Sequence, residues 1–177
     1  MDYIKRNTDV SFNFRNYISS LSFKHNFAKP NKNITADVNY NYSKNGNQND
    51  LNTQYFNLNS TPKTALLFQR SQGGGNSKYF TAQTDYSDPL SKTTKLEMGA
   101  RAAIRNFYSS NDNFYQDPAS GEFISIPSLN NSYQFKDRVL AAYATFSQEI
   151  KKFSYNLGLR LESSRYDGTL LTTGKTF

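Results

Sequence analysis

The chain has 177 residues, of which 36% are hydrophobic and 15% aromatic, and it carries a formal net charge of +7. The hydrophobic share is too low for an ordinary soluble core, yet 13 Tyr and 14 Phe are too many for a disordered chain. The absence of Cys excludes disulfides and thiolate metal sites, and no apolar run approaches the roughly 18 to 20 residues of a transmembrane helix.

Alternation of apolar and polar residues first becomes regular near residue 18 and predicts a β-hairpin over about 18–43. Its return strand is the clearest in the chain, because Ile34, Ala36 and Val38 alternate with Thr35 and Asp37. The intervening segment 28–32 contains proline and asparagine, which favour a tight turn.

Two further hairpins are predicted over about 78–107 and 137–165 by the same period of two. In the last of these strands, Leu157, Leu159 and Leu161 form one face and Arg160 and Glu162 the other. The phase of the strand before it is ambiguous. We interpret it with Tyr143 facing inward and these residues facing outward: Leu140, Ala142, Ala144 and Phe146.

Long polar segments separate the hairpins, whereas the turns within the hairpins are short. We expect external loops at about 44–77 and 106–136, and the beginning of another at 166–177. Short turns that alternate with long connections, and strands of about 9 to 14 residues, are typical of outer-membrane barrels. The predicted fold is therefore all-β: an antiparallel meander of about six long strands, part of a transmembrane outer-membrane β-barrel. A soluble β-sandwich shows the same alternation and is the alternative.

Charged residues fall on the polar side of the predicted strands. An Arg facing lipid at the bilayer midplane costs roughly 2 to 4 kcal/mol, so this side should line a wet lumen. The predicted lumen-facing residues are Lys24, Asp37, Asp85, Glu97, Arg101, Arg105, Tyr143, Arg160 and Glu162. The basic residues otherwise look scattered along the chain, with no basic stripe, which argues against a nucleic-acid partner.

Aromatic residues of the long connections are the candidate ligand contacts, because loops carry recognition. These are Tyr55, Phe56, Phe68, Phe114, Tyr115 and Phe123. The single histidine, His25, is interpreted as an interface residue rather than a metal ligand. Ser, Asp and His are too few and too dispersed for a catalytic triad. We therefore expect no catalytic residue, no metal and no cofactor, and a protein that is not an enzyme.

Four segments together carry a family resemblance: FKHNFAKP, ITADVNYNYS, TDYSDPLSKTTKLEMGAR and VLAAYATFSQEIKKFSYNLGLRLE. They resemble successive hairpins of the TonB-dependent receptor barrel, in its outer-membrane β-barrel protein branch, over roughly residues 18–165. The resemblance implies a 22-stranded barrel in the outer membrane of a Gram-negative bacterium. It also implies a plug domain inside that barrel and a TonB box that couples uptake to the proton gradient.

The chain departs from that pattern, since it has about six predicted strands, no recognisable plug and no TonB box. It also lacks a signal peptide, so we expect it to be part of a longer precursor. The expected partners are outer-membrane lipid, the plug domain and remaining strands of the full protein, the TonB complex, and an unknown transported ligand. That ligand would be a scarce or bulky nutrient of the siderophore, cobalamin or glycan class. A passive porin or adhesin barrel is the first alternative, and a soluble carbohydrate-binding β-sandwich is the second.

Overall fold

The computed structural model describes residues 3–177, and eight strands account for most of them. Two of the strands are short: β5 (Phe123–Ser125) and β8 (Lys175–Thr176). A short 3₁₀ turn, Pro127–Leu129, follows β5. The six long strands are β1 (Tyr3–Asn26), β2 (Asn33–Phe56), β3 (Leu67–Pro89), β4 (Thr94–Gln116), β6 (Asn131–Ile150) and β7 (Phe153–Leu170).

The strands form one antiparallel sheet in which each long strand pairs with the next long strand along the chain. The register of every long pair is continuous, from Tyr3 opposite Phe56 to Ile150 opposite Phe153. Because no residue is skipped, the alternation of side chains persists from edge to edge of the sheet. The predicted all-β antiparallel meander of six long strands is confirmed.

The connections alternate between short and long, as the sequence predicted. The three short turns span 27–32, 90–93 and 151–152, whereas the longer connections span 57–66 and 117–130. Asn31 and Lys151 have φ of 61° and 57°, the left-handed conformation that reverses the chain within these tight turns. All three short turns therefore lie at one end of the sheet and both longer connections at the other.

The strands are much longer than the sequence predicted. Residues 44–56 continue β2 and residues 67–77 continue β3, so the predicted loop 44–77 shrinks to 57–66. Likewise 106–116 belongs to β4, 131–136 to β6 and 166–170 to β7, and β1 begins at Tyr3 rather than near residue 18. Most of these extensions, such as 44–56, are rich in polar residues and glycine on both faces and show no apolar alternation. In the extension of β1, Val10, Phe12 and Phe14 do alternate with polar residues, but they lie on the polar face. Backbone pairing to neighbouring strands holds the extensions instead.

No large apolar side chain of the sheet is buried within the described chain, although several aromatic rings contact one another. Ala141, Thr53 and Gly168 are the buried residues among 3–177, and Leu159 and Leu161 remain 82% and 79% exposed. A soluble β-sandwich needs a second layer over the apolar face, and no such layer exists in this part of the chain. Residues 3–177 therefore do not form a β-sandwich among themselves. No helix within residues 3–177 is both long enough and apolar enough to cross a membrane.

Candidate functional site

The continuous register sorts the side chains onto two faces. The polar face contains, for example, the row Thr35, Asp85, Gly99, Tyr143 and Arg160, each opposite the next across neighbouring strands. All nine predicted lumen-facing residues lie on this face: Lys24, Asp37, Asp85, Glu97, Arg101, Arg105, Tyr143, Arg160 and Glu162. That this face lines a lumen remains a prediction.

The other face, called the outward face here, carries an apolar band between the short turns and mid-strand. The row Ala36, Thr84, Ala100, Ala142 and Leu161 crosses five strands within this band. The register also shows which residues of β6 face outward, a point that the sequence left ambiguous, and it agrees with the predicted phase. Its outward residues are Leu140, Ala142, Ala144 and Phe146.

Asp85 is the centre of a hydrogen-bonded group on the polar face. The Tyr143 hydroxyl donates to Asp85 Oδ1 across the intervening strand β4, and the Gln83 side-chain amide donates to Oδ2 at 2.9 Å. Gly99 is the β4 residue between Asp85 and Tyr143. A Cβ atom at Gly99 would lie 2.7 Å from Tyr143 Cε1, 2.7 Å from the Thr84 carbonyl oxygen and 2.6 Å from Asp85 Oδ1. The missing side chain therefore allows the tyrosine ring to cross the strand.

Ion pairs continue the polar face on either side of this group. Arg160 donates to Glu162 at 2.7 Å, and Arg105 donates to Asp137 at 2.5 and 2.9 Å. Among the described residues, Lys24 and Arg101 form neither an ion pair nor a hydrogen bond. The face therefore combines fixed, paired charges with cations that are available to another partner.

The six predicted ligand-contact aromatics do not form one site. Tyr55 and Tyr115 lie on the polar face, whereas the other four lie on the outward face. Those four are Phe56, Phe68, Phe114 and Phe123. Phe56 stacks on Tyr3 with ring centroids 4.9 Å apart. A ligand inside a lumen could reach only the two tyrosines, because side chains on opposite faces of one sheet point apart.

Arg70, on the outward face of β3, organises the aromatics at the long-connection end. Its guanidinium lies 4.3 Å from the Phe123 ring centroid and 5.7 Å from that of Phe68, and the two rings meet edge to face at 5.4 Å. Arg70 also donates to both carboxylate oxygens of Asp50 at 2.7 Å. This hydrogen bonding lowers the pKa of Asp50. These contacts attach β5 to the long strands of the sheet. The sequence did not indicate this group, because its members come from three separate strands.

A second group lies at the short-turn end, outside the apolar band. Asp88 accepts from Lys29 at 2.9 Å and pairs with Lys32 at 3.0 Å, and the Tyr86 hydroxyl donates to it at 3.0 Å. The hydrogen bond from Lys29 is the largest cause that lowers the pKa of Asp88 to about 2, followed by that from Lys32. Lys32 also lies over the rings of Phe27 and Tyr86. The first turn is thereby tied to the end of β3.

The chemistry available on these faces is binding rather than bond making. Within residues 3–177, no cluster of three or more His, Asp or Glu side chains could hold a metal ion. His25 lies on the outward face near the first turn, edge to face with Phe27 at 4.7 Å. A hollow of about 720 Å³ opens at the short-turn end and is lined by polar side chains, including Lys92, Lys95 and Glu97.

The match to a protein family supports the membrane interpretation. Residues 25–177 match the family described as "Outer membrane protein beta-barrel family". No curated protein matches the sequence. Among solved structures, similarity is found to the "Crystal structure of ferric citrate transporter FecA in the unliganded form", at 10% identity and a TM-score of 0.39. The match covers 82% of this chain and 22% of that one, so the chain spans about a fifth of the transporter's length.

Proposed function

Because this chain belongs to the outer membrane protein beta-barrel family, we propose that its strands form part of the wall of a TonB-dependent receptor. Family membership places the chain in the outer membrane of a Gram-negative bacterium, with membrane lipid and other barrel parts around it. The proposal adds energised uptake of a scarce or bulky nutrient of the siderophore, cobalamin or glycan class. Transport would proceed by plug movement, with no covalent chemistry.

The open sheet supports a larger barrel. β1 is paired on one side only, and its 24 residues are all exposed. At the opposite edge, β7 is covered only by the two residues of β8. Unpaired strand edges inside a membrane leave backbone groups without hydrogen bonds, which costs several kcal/mol each. Further strands must therefore pair with both edges when the chain is in the membrane.

The polar face is the observation that carries the proposal. It presents the Asp85, Glu162 and Asp137 carboxylates with their partners along a wall whose opposite face carries the apolar band. Such a wall can hydrogen-bond a polar ligand or a second protein layer inside the barrel. Lys24 and Arg101, which form no ion pair or hydrogen bond within the described chain, are the residues we assign to contact with a plug domain.

Uptake measurements on the full-length protein that contains this chain test the proposal. Cells expressing it should accumulate one member of a panel of ferric siderophores, cobalamin and oligosaccharides. We expect accumulation to stop when TonB is deleted or when a protonophore collapses the proton gradient. The control is a strain lacking the protein.

A passive barrel would give the opposite result. Uptake that persists without TonB, together with steady ion conductance of the purified protein in a planar bilayer, would show a porin and overturn the proposal. The bilayer measurement requires no energy source, so it separates the two mechanisms directly.

A further inference from the structure

Six basic residues that are far apart in the sequence gather on the outward face of the sheet. They occupy three adjacent rows just beyond the apolar band, and all six are exposed. We call them the outward basic belt: Arg15, Lys44, Lys78, Lys136, Arg138 and Arg165. Among residues 3–177, Asp167 is the one acid on the outward face of these rows.

Two pairs within the belt place like charges directly opposite each other. Arg138 is the cross-strand partner of Arg165, and Arg15 is that of Lys44. Cβ atoms of such partners are about 4.5 to 5.5 Å apart, and like charges at this spacing are destabilising. Asp167 contacts Arg165 at 3.2 Å but leaves Arg138 without an ion-pair partner in this part of the chain. An external anion would offset this repulsion.

The belt lies at the height of lipid headgroups. Five long strands contribute residues to the belt. On each of them, the belt residue nearest the short turn lies eleven or twelve positions from the strand end at that turn; for example, Arg165 lies twelve positions after Phe153. At a rise of about 3.3 Å per residue and a tilt of about 40°, this separation spans about 30 Å. That is the thickness of the hydrocarbon core. Tyr17 and Tyr42, with ring centroids 6.2 Å apart, lie beside the belt as an interfacial aromatic pair.

An apolar groove runs below the Arg138 and Arg165 pair. It has a volume of about 550 Å³ and is lined by small side chains flanked by larger ones. Its floor includes Ala142 and Ala144, and its side includes Leu161, which lies four residues before Arg165 on the same strand. A molecule with an anionic head group and acyl chains fits this arrangement, because its head group can contact the arginines while an acyl chain lies in the groove.

We infer that the outward basic belt binds the phosphate groups of lipid A, the phosphorylated glycolipid anchor of the outer leaflet, with an acyl chain in the groove. Guanidinium groups bind phosphate oxygens through paired hydrogen bonds. The inference uses the proposed orientation, in which the long connections face outside, but does not depend on TonB or on a transported ligand.

Binding to purified full-length protein in detergent tests the inference. Wild-type protein should unfold at a higher temperature with diphosphoryl lipid A than with chemically dephosphorylated lipid A. We expect affinity for diphosphoryl lipid A to fall about fivefold for each cation removed, hence about 25-fold for Arg138→Gln/Arg165→Gln. Arg138→Gln alone should raise the unfolding temperature without lipid, because it relieves repulsion, and should reduce the gain with lipid.

The matched control is Lys5→Gln/Lys152→Gln, which removes the same charge far above and far below the belt. It should bind diphosphoryl lipid A as the wild type does. Equal binding of phosphorylated and dephosphorylated lipid A, or equal loss in the control, would overturn the inference. So would an equal stabilisation by inorganic phosphate alone, which would indicate a free-anion site. If the double variant does not fold, Arg138→Gln carries the test by itself.

Discussion

Tyr143 and Asp85 are hydrogen-bonded across an entire intervening strand, through the space left by a glycine. The two residues are two strands apart, and only Gly99 lies between them in register. The contact therefore ties three neighbouring strands together on the polar face. This hydrogen bond helps to stabilise a sheet that has no hydrophobic core within the described residues.

Replacing Gly99 with alanine should destabilise the barrel by about 1 to 3 kcal/mol through overpacking. The new Cβ would meet the Thr84 carbonyl oxygen at 2.7 Å, which is backbone and cannot easily move. The measurement is urea unfolding of the full-length protein, monitored by the mobility of folded barrel on unheated gels.

Gly158→Ala is the matched control for that change, on the same face of β7. A Cβ there would contact Thr145 Oγ1 at 3.4 Å, which is an ordinary distance. Similar destabilisation by both variants would show that backbone entropy, rather than the crossing tyrosine, explains the Gly99 result.

Tyr143→Phe should cost about 1 kcal/mol of unfolding free energy, because Asp85 loses a donor but keeps Gln83. Urea unfolding again provides the measurement. Tyr79→Phe is the control, since Tyr79 is exposed on the same face and its hydroxyl has no partner within the described chain. No difference between the two variants would contradict the role given to the Tyr143 hydroxyl.

The group around Asp88 should make stability depend on acid pH. The lysines lower the pKa of Asp88 from 3.8 to about 2, so its stabilising effect is complete above about pH 4 and is lost as the pH falls toward 2. Asp88→Asn should remove this part of the pH dependence, as measured by thermal unfolding between pH 2 and 7. Asp112→Asn, at an exposed position of β4 without an ion pair within residues 3–177, should leave it unchanged.

Arg70 should control how firmly the connection 117–130 is held to the wall. Arg70→Met removes the guanidinium between Asp50 and the Phe123 ring, so β5 should detach from β4 more often. Limited proteolysis should then cut within 117–122 several times faster than in the wild type. Arg6→Met, at an exposed arginine of β1 that forms no ion pair within residues 3–177, should not change the rate.

The 177-residue chain alone should not be a monomer in detergent-free buffer. It exposes an apolar band and the edge of β1, both of which favour association. Light scattering after size-exclusion chromatography provides the measurement, and detergent should reduce the assembly. A monodisperse folded monomer without detergent would contradict the assignment of the outward face to lipid.

Local pattern in the sequence was sufficient to predict the strands near the membrane and their faces. Alternation at Leu157, Leu159 and Leu161 predicted which side of the strand is apolar. Short turns near Pro30 and Pro89 predicted where the hairpins reverse. The pattern did not predict the strand extensions, such as residues 44–56, because Asn and Gly on both faces carry no periodic signal. Pairing with a neighbouring strand, which the sequence does not display, makes those residues extended.

The sequence by itself therefore determined the alternation, the turns and the apolar side of each strand near the short turns, because these depend on neighbours within a few residues. Only the tertiary structure decided which distant residues share a row. Arg138 and Arg165, or Arg15 and Lys44, look scattered along the chain and become a belt only through cross-strand register. Register is set by pairing across the whole sheet, so the belt, the Tyr143 crossing and the Arg70 group could not be predicted from local pattern.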